Sequence, residues 1–263
     1  MTATLAFERH GDGPPLILLH GVGHRRQAWY PVLDRLTPHR QVILVDLPGH
    51  GESPPLRTNG QPVVDAMLAE VLALLAELDL DRPHIAGNSL GGRIALEAGA
   101  AGKVATVTAL SPAGFWRSDS EARYARTIFK VMQVTGKALL PIAPTVARSR
   151  AGRALTYSAI VSRPGQLSPE QAAGDMAAFV AAKDALNVVL AGLPNFTGRV
   201  PASLPVTIAW GTRDRLLPQR QVLVAKAWLP AARFVPLPGC GHVPMTDDPA
   251  LVAQVLLRGS NDI

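Results

Sequence analysis

Short apolar runs alternate with longer amphipathic stretches along the first half of the chain. Residues 16–19, 42–45, 104–110 and 206–210 are apolar or small with no polar alternation, and residues 84–86 and 233–237 read as shorter strands. Runs of that kind suit strands of a parallel sheet buried on both faces. Residues 5–7 add a short strand ahead of the turn Gly11-Asp12-Gly13-Pro14. Between the runs lie helical patterns at 29–36, 63–78, 93–100, 219–228 and 249–257. The second is the clearest: Val64, Met67, Leu68, Val71, Leu72, Leu75 and Leu78 recur at spacings of three and four. Strand and helix in alternation predict an α/β fold, a mostly parallel central sheet flanked by helices with right-handed crossovers.

The alternation stops at Ser111-Pro112-Ala113-Gly114. From there to Gly198 the pattern is helical, at 122–133, 145–157 and 171–190, with Pro141, Pro144, Pro164 and Pro169 as separators. The expected organisation is one core made of residues 1–114 and 199–263, with a helical insertion over 115–198.

Composition narrows the class. Of 263 residues, 48% are hydrophobic and 17% charged, which excludes a disordered chain and provides for a large core. The single cysteine, Cys240, excludes a disulfide framework and a cysteine-rich zinc site. Glu8, Arg9 and His10 near the start leave no signal-peptide pattern, and apolar runs of 4 to 6 residues are too short for a membrane span, so a cytoplasmic protein is expected. The net charge is +6, yet no nucleic-acid motif is visible. Residues 115–165 carry nine basic groups against Asp119 and Glu121, which would make an entrance formed by them attractive to an anionic substrate.

Candidate chemistry begins at Gly87-Asn88-Ser89-Leu90-Gly91, a G-x-S-x-G between a strand and a helix. There a serine sits on a sharp turn with small neighbours and faces a helix amino terminus. A plain helix cap is the alternative use of a serine at that junction. A nucleophilic hydroxyl needs a base, and the base needs an acid to orient it. Among His10, His20, His24, His39, His50, His84 and His242, only His242 lies in a glycine-rich loop just after a strand with Asp214 in the preceding strand's loop. Ser89, Asp214 and His242 thus fall at carboxyl ends of strands, where open parallel sheets bind ligands. The backbone N–H groups of Leu90 and Val22 are the expected oxyanion donors. Arg25 (with Arg26) and Arg93 are candidate clamps for a substrate carboxylate. Trp116, Phe129 and Met132, together with Trp29, Phe115 and Phe179, are candidates for an apolar acyl pocket. Cys240, His50 and His84 read as structural, Asp247-Asp248 as a cap of the last helix, and no metal or cofactor motif is present.

These residues carry a resemblance. His20-Gly21-Val22-Gly23, Asp46-Leu47-Pro48-Gly49-His50-Gly51-Glu52-Ser53, Gly87-Asn88-Ser89-Leu90-Gly91-Gly92, and Gly211-Thr212-Arg213-Asp214 with Gly239-Cys240-Gly241-His242 resemble the α/β-hydrolase fold superfamily over about residues 3 to 258. The resemblance implies Ser89 as nucleophile, His242 as base, Asp214 as acid, and a lid inserted after Leu110-Ser111-Pro112 at the end of the sixth core strand. Serine at the elbow argues against the dehalogenase and epoxide-hydrolase branches, which use aspartate. The elbow is similar to that of carbon–carbon bond hydrolases of ring-fission dienoates. Val22-Gly23-His24-Arg25-Arg26 departs from their Ser-Gly-Pro-Gly-like stretch. The resemblance therefore implies hydrolysis of a small-molecule ester, lactone or thioester, with an anionic or hydrophobic acyl group, by a monomer or homodimer. Carbon–carbon hydrolases, cofactor-free haloperoxidase-like members and a non-catalytic ligand-binding member stay open.

Overall fold

The computed structural model describes residues 4–261; the outermost positions expected in the core, 1–3 and 262–263, lie outside them. Seven strands form one sheet: β1 (Phe7–His10), β2 (Pro15–Leu19), β3 (Gln41–Val45), β4 (His84–Asn88), β5 (Thr106–Leu110), β6 (Val206–Gly211) and β7 (Arg233–Leu237). Their order is β1-β3-β2-β4-β5-β6-β7, with β1 antiparallel to β3 and every other pair parallel. β4 and β5 are buried at every position, as their lack of alternation requires.

The core helices are α1 (Tyr30–Leu36), α2 (Val63–Glu77) and α3 (Leu90–Ala100). Between β5 and β6 come α4 (Asp119–Leu139), α5 (Ala143–Arg148), α6 (Arg150–Tyr157), α7 (Pro169–Ala181) and α8 (Lys183–Gly192). The chain closes with α9 (Val222–Trp228), α10 (Pro244–Asp247) and α11 (Pro249–Gly259). α3 packs on β2, β4 and β5 and against α2; α11 packs on β5 and β6 and against α1. No helix among the described residues is long and apolar enough to cross a membrane.

Several boundaries differ from the sequence reading. The first strand is Phe7–His10 rather than 5–7, because it pairs with β3 from Val45 back to Val42. The run 145–157 is two helices, broken where Ser149 turns extended and accepts the Gly152 N–H to start α6. The run 171–190 is likewise two, α7 and α8, meeting at Ala182. The strand before the helical segment is fifth in this chain, not sixth.

Topology locates the site. The chain moves from β2 outward to β3, then returns past β2 to β4. The connections after β2 and β4 therefore diverge, leaving a crevice above the carboxyl ends of these two neighbours. The loop after β2 begins at His20, and the residue after β4 is Ser89.

Candidate active site

Ser89 occupies the tight turn between β4 and α3, with φ 55° and ψ −114°. A non-glycine residue held there costs about 1–3 kcal/mol and persists only if its surroundings over-determine it. They do. The Ser89 N–H donates to Leu110 O at 2.9 Å, and Ser89 O accepts from Arg93 N at 3.0 Å and Ala113 N at 3.1 Å. A Cβ on Gly87 would stand 2.2 Å from the Gly91 backbone, and one on Gly91 would stand 2.2 Å from Leu19 O. The serine side chain makes no capping bond to α3, which removes the plain-cap reading.

Asp214 and His242 come from the loops after β6 and β7. His242 Nδ1 lies 2.8 Å from Asp214 Oδ2, and both residues are buried. Asp214 Oδ1 accepts the N–H groups of Leu216 at 3.0 Å and Leu217 at 2.8 Å. The carboxylate is thereby oriented with one oxygen left for the imidazole. Asn88 Nδ2 donates to His242 O at 2.9 Å and to Leu110 O at 3.1 Å, tying the histidine loop to the serine elbow. Sequence reasoning passed over Asn88, whose role depends on a carbonyl 154 positions away.

The aspartate pair behind this loop divides its work. Asp248 Oδ1 accepts Leu251 N–H at 3.0 Å and caps α11 as expected. Asp247 does not cap it. Asp247 accepts from Gly241 N at 2.7 Å, Ser162 N at 3.0 Å and Arg163 N at 2.6 Å, and so fastens the histidine loop to the α6–α7 connection. Cys240 is buried, and burial with the Asp247 and Asp248 charges pushes its thiol up to about 12, so it is no nucleophile at neutral pH.

The loop after β2 is held from beneath. His20 Nε2 accepts Leu47 N–H at 3.0 Å, which places the ring proton on Nδ1, 2.8 Å from Gly21 O. Complete burial keeps this imidazole neutral, its pKa well below the usual value. Arg26, expected as part of an anion clamp, is instead a structural hub. Its guanidinium bonds Asp46, Glu8 (2.6 Å) and Glu52 (2.8 Å), and its N–H donates to Asp46 Oδ1 at 2.6 Å. Neither Val22 N–H nor Leu90 N–H has a hydrogen-bond acceptor among the described residues. Both residues border the crevice where Ser89 sits.

Two cavities, each of about 340 Å³, meet at Ser89 and share Val22, Phe129 and Leu216. His242, His24, Met132 and Asp175 line the first. Leu90, Trp116 and Arg126 line the second. Phe129 and Met132 thus border the first cavity, and Trp116 and Phe129 the second. Phe179 also lines the first, whereas Trp29 and Phe115 are fully buried core residues away from both.

The two arginines singled out as carboxylate clamps are corrected by their partners. Arg93 is buried and donates to Glu97 at 2.8 Å and to Pro194 O at 2.8 Å, with its guanidinium over the Phe196 ring. Arg25 donates through Nε to Asp175 Oδ1 at 3.0 Å. Neither lines either of the two cavities that meet at Ser89. Part of the basic excess of 115–165 is likewise structural: Arg153 is buried against Ala147 O and Arg148 O, and Arg163 donates to Asp247 O. Among the described residues no cluster of three His, Cys, Asp or Glu side chains could hold a metal ion.

A model of the alpha/beta hydrolase family matches residues 16–255. The chain is similar to the pimeloyl-(acyl-carrier protein) methyl ester esterase of Xanthomonas campestris pv. campestris (strain B100), 32% identical over 255 residues, covering 94% of this chain and 95% of that one. An uncharacterized protein of Mycobacterium tuberculosis (strain ATCC 25618 / H37Rv) is 31% identical over 267 residues, 96% of this chain and 77% of its own. Among solved structures, the enol-lactonase from Burkholderia xenovorans LB400 superposes with a TM-score of 0.73 at 19% identity, covering 97% of this chain and 93% of that chain. At that identity the likeness concerns the fold.

Proposed function

The chain belongs to the alpha/beta hydrolase family, and on that premise we propose that it is a serine hydrolase cleaving a small-molecule ester, lactone or thioester through an acyl-enzyme. One observation carries the reading: His242, held by Asp214 at 2.8 Å, lines the same cavity as Ser89. An ionised carboxylate only accepts, so the proton bonded to Asp214 sits on Nδ1 and Nε2 is left to act as base.

In the proposed reaction Ser89 Oγ attacks the carbonyl carbon while its proton passes to His242 Nε2. The negative oxygen forms beside the N–H groups of Val22 and Leu90, and one such donor is worth about 2.7–4 kcal/mol in the transition state. The leaving group takes the proton from Nε2 as its bond to carbon breaks. Water then repeats the sequence, releases the acid and regenerates Ser89. Residues 115–198 act as a lid over the core, because this segment supplies most of the residues that line both cavities. Two cavities meeting at the nucleophile suit the two arms of an ester. The esterase named among the relatives supports this bond class. Cleavage of a carboxylated dienoate is less well supported, since Arg93 is spent on Glu97 and Pro194 O, Arg25 is paired through Nε with Asp175, and neither lines the two cavities at Ser89.

Rapid mixing with p-nitrophenyl butyrate tests the reading. A burst of nitrophenol equal to the enzyme concentration, followed by slower steady turnover, is the expected result. Loss of a ring-fission dienoate chromophore without turnover of esters, lactones or thioesters would replace it.

A further inference from the structure

A carboxylate and an imidazole outside the triad also line the cavity of Ser89 and His242: Asp175 on α7 and His24 in the loop after β2. Asp175 is 4% exposed. Its Oδ1 accepts from Arg25, while its Oδ2 is buried with no partner among the described residues. His24 Nδ1 is buried and unpartnered too. Buried polar atoms are rarely left so, and an exception in a ligand cavity points to a group that the ligand brings. The Tyr157 hydroxyl in the same wall is already given to Ala172 O.

The arrangement is built rather than incidental. A Cβ on Gly174 would stand 2.2 Å from Arg25 Nη2, so glycine leaves room for the guanidinium against α7 beside Asp175, where a larger residue would push it aside. Gly23, at φ +75°, gives Phe179 of the same helix its place, since a Cβ there would meet the ring at 2.4 Å. Arg25 balances the charge of Asp175, so the open oxygen presents an acceptor rather than an uncompensated anion. His24 stays neutral because burial lowers its pKa, against the upward pull of Asp175. A hydroxyl is the uncharged group whose chemistry matches both atoms, since it can donate to Asp175 Oδ2 and accept from a proton on His24 Nδ1.

We propose that Asp175 and His24 form a hydroxyl-recognising subsite, so that the substrate is an ester bearing a free hydroxyl on the arm that lies in this cavity. This rests on the serine-hydrolase reading for its reaction, but not for its binding.

The test compares matched esters. On the acyl side these are methyl 3-hydroxyhexanoate, methyl 3-methoxyhexanoate, methyl 6-hydroxyhexanoate, methyl 6-methoxyhexanoate and methyl hexanoate. On the alcohol side they are 4-hydroxybutyl, 4-methoxybutyl and pentyl butyrate. Each is measured by kcat/KM on the parent enzyme and by calorimetric affinity on the Ser89→Ala variant. At least one hydroxy ester should be favoured about tenfold or more over both its methoxy and unsubstituted partners, the worth of a hydrogen bond to a charged group. Asp175→Asn, which keeps an oxygen for Arg25 but offers a donor at the open position, and His24→Phe should each reduce that ratio toward one, whatever their absolute rates. Equal ratios in the parent enzyme, or a preference untouched by both substitutions, would overturn the subsite. Selective binding of a hydroxy ester with no turnover of any ester would instead uphold the subsite and remove the serine-hydrolase reading.

Discussion

His242 Nδ1 and Asp214 Oδ2 stand 2.8 Å apart, while the other oxygen of that carboxylate is occupied by two backbone N–H groups. The substitution Asp214→Asn separates these two jobs. Its oxygen can still accept from Leu216 and Leu217, so the loop keeps its shape. Its amide would donate to Nδ1 and force the imidazole proton onto Nε2, where Ser89 needs an acceptor. We expect kcat for p-nitrophenyl butyrate to fall by about 10⁴. The melting temperature should move by only a few degrees, about what 1 kcal/mol produces in a chain of this size. Near-normal turnover would mean that another acid serves His242.

The elbow allows no Cβ at Gly91, because the nearest atom, Leu19 O at 2.2 Å, is backbone of the neighbouring strand. Gly91→Ala should therefore cost more than about 3 kcal/mol, at the high end for a single substitution. Urea unfolding followed by circular dichroism measures it. A loss below about 1 kcal/mol, the centre of the ordinary range, would show that β2 and α3 can separate freely.

Arg26 connects three carboxylates, and one of them, Asp46, is fully buried. Arg26→Met leaves that carboxylate with backbone donors but no countercharge, a change expected to cost about 3–5 kcal/mol. Arg26→Lys should recover only part of it, since an ammonium cannot reproduce a planar fork spread over Glu8, Asp46 and Glu52. Urea midpoints for the two variants check the order. If Arg26→Met loses no more than about 1 kcal/mol, the network behaves as an exposed ion pair.

Acid stability should be set first by histidines. Burial is the main cause that lowers the pKa values of His20, His24 and His50. Their neutral forms persist in the folded protein, while the unfolded chain takes up protons at the ordinary histidine value of 6.5. The contribution is complete above that pH and is lost as pH falls from there toward the folded values. The slope is about 1.4 kcal/mol per pH unit for each histidine. Burial raises the pKa of Glu8 and Glu121, but their several hydrogen bonds and the nearby arginine charge together outweigh it, so both lie below the usual carboxylate value of 4.5 and act only at lower pH. Urea midpoints at pH 7.5, 6.5 and 5.5 should fall mainly over the last interval. A flat response down to about pH 5 would contradict neutral burial of these rings.

Much of the frame was legible in the chain, and the reason is local. Apolar runs such as Leu16 to Leu19 need no partner to be recognised as buried strands, and their order puts Ser89, Asp214 and His242 at carboxyl ends of the sheet. Glycines 87 and 91 announce a crowded turn for the same reason. What could not be read was the pairing of charges across distance. Arg25 meets Asp175 across 150 positions and Arg93 meets Pro194 O across 101, so both looked free for a substrate. Asp175 itself sits in a helical stretch of small residues, with Gly174 as its one local signal. The breaks at Ser149 and Ala182 were hidden because helical propensity runs through them.

Covalent labelling bears most directly on Ser89 as nucleophile. Intact-mass spectrometry after treatment with a fluorophosphonate should show one adduct per chain, mapped by digestion to Ser89 and abolished in Ser89→Ala while that variant keeps the parent melting temperature. Labelling that persists in Ser89→Ala, or a folded parent chain that takes no label, would contradict the account.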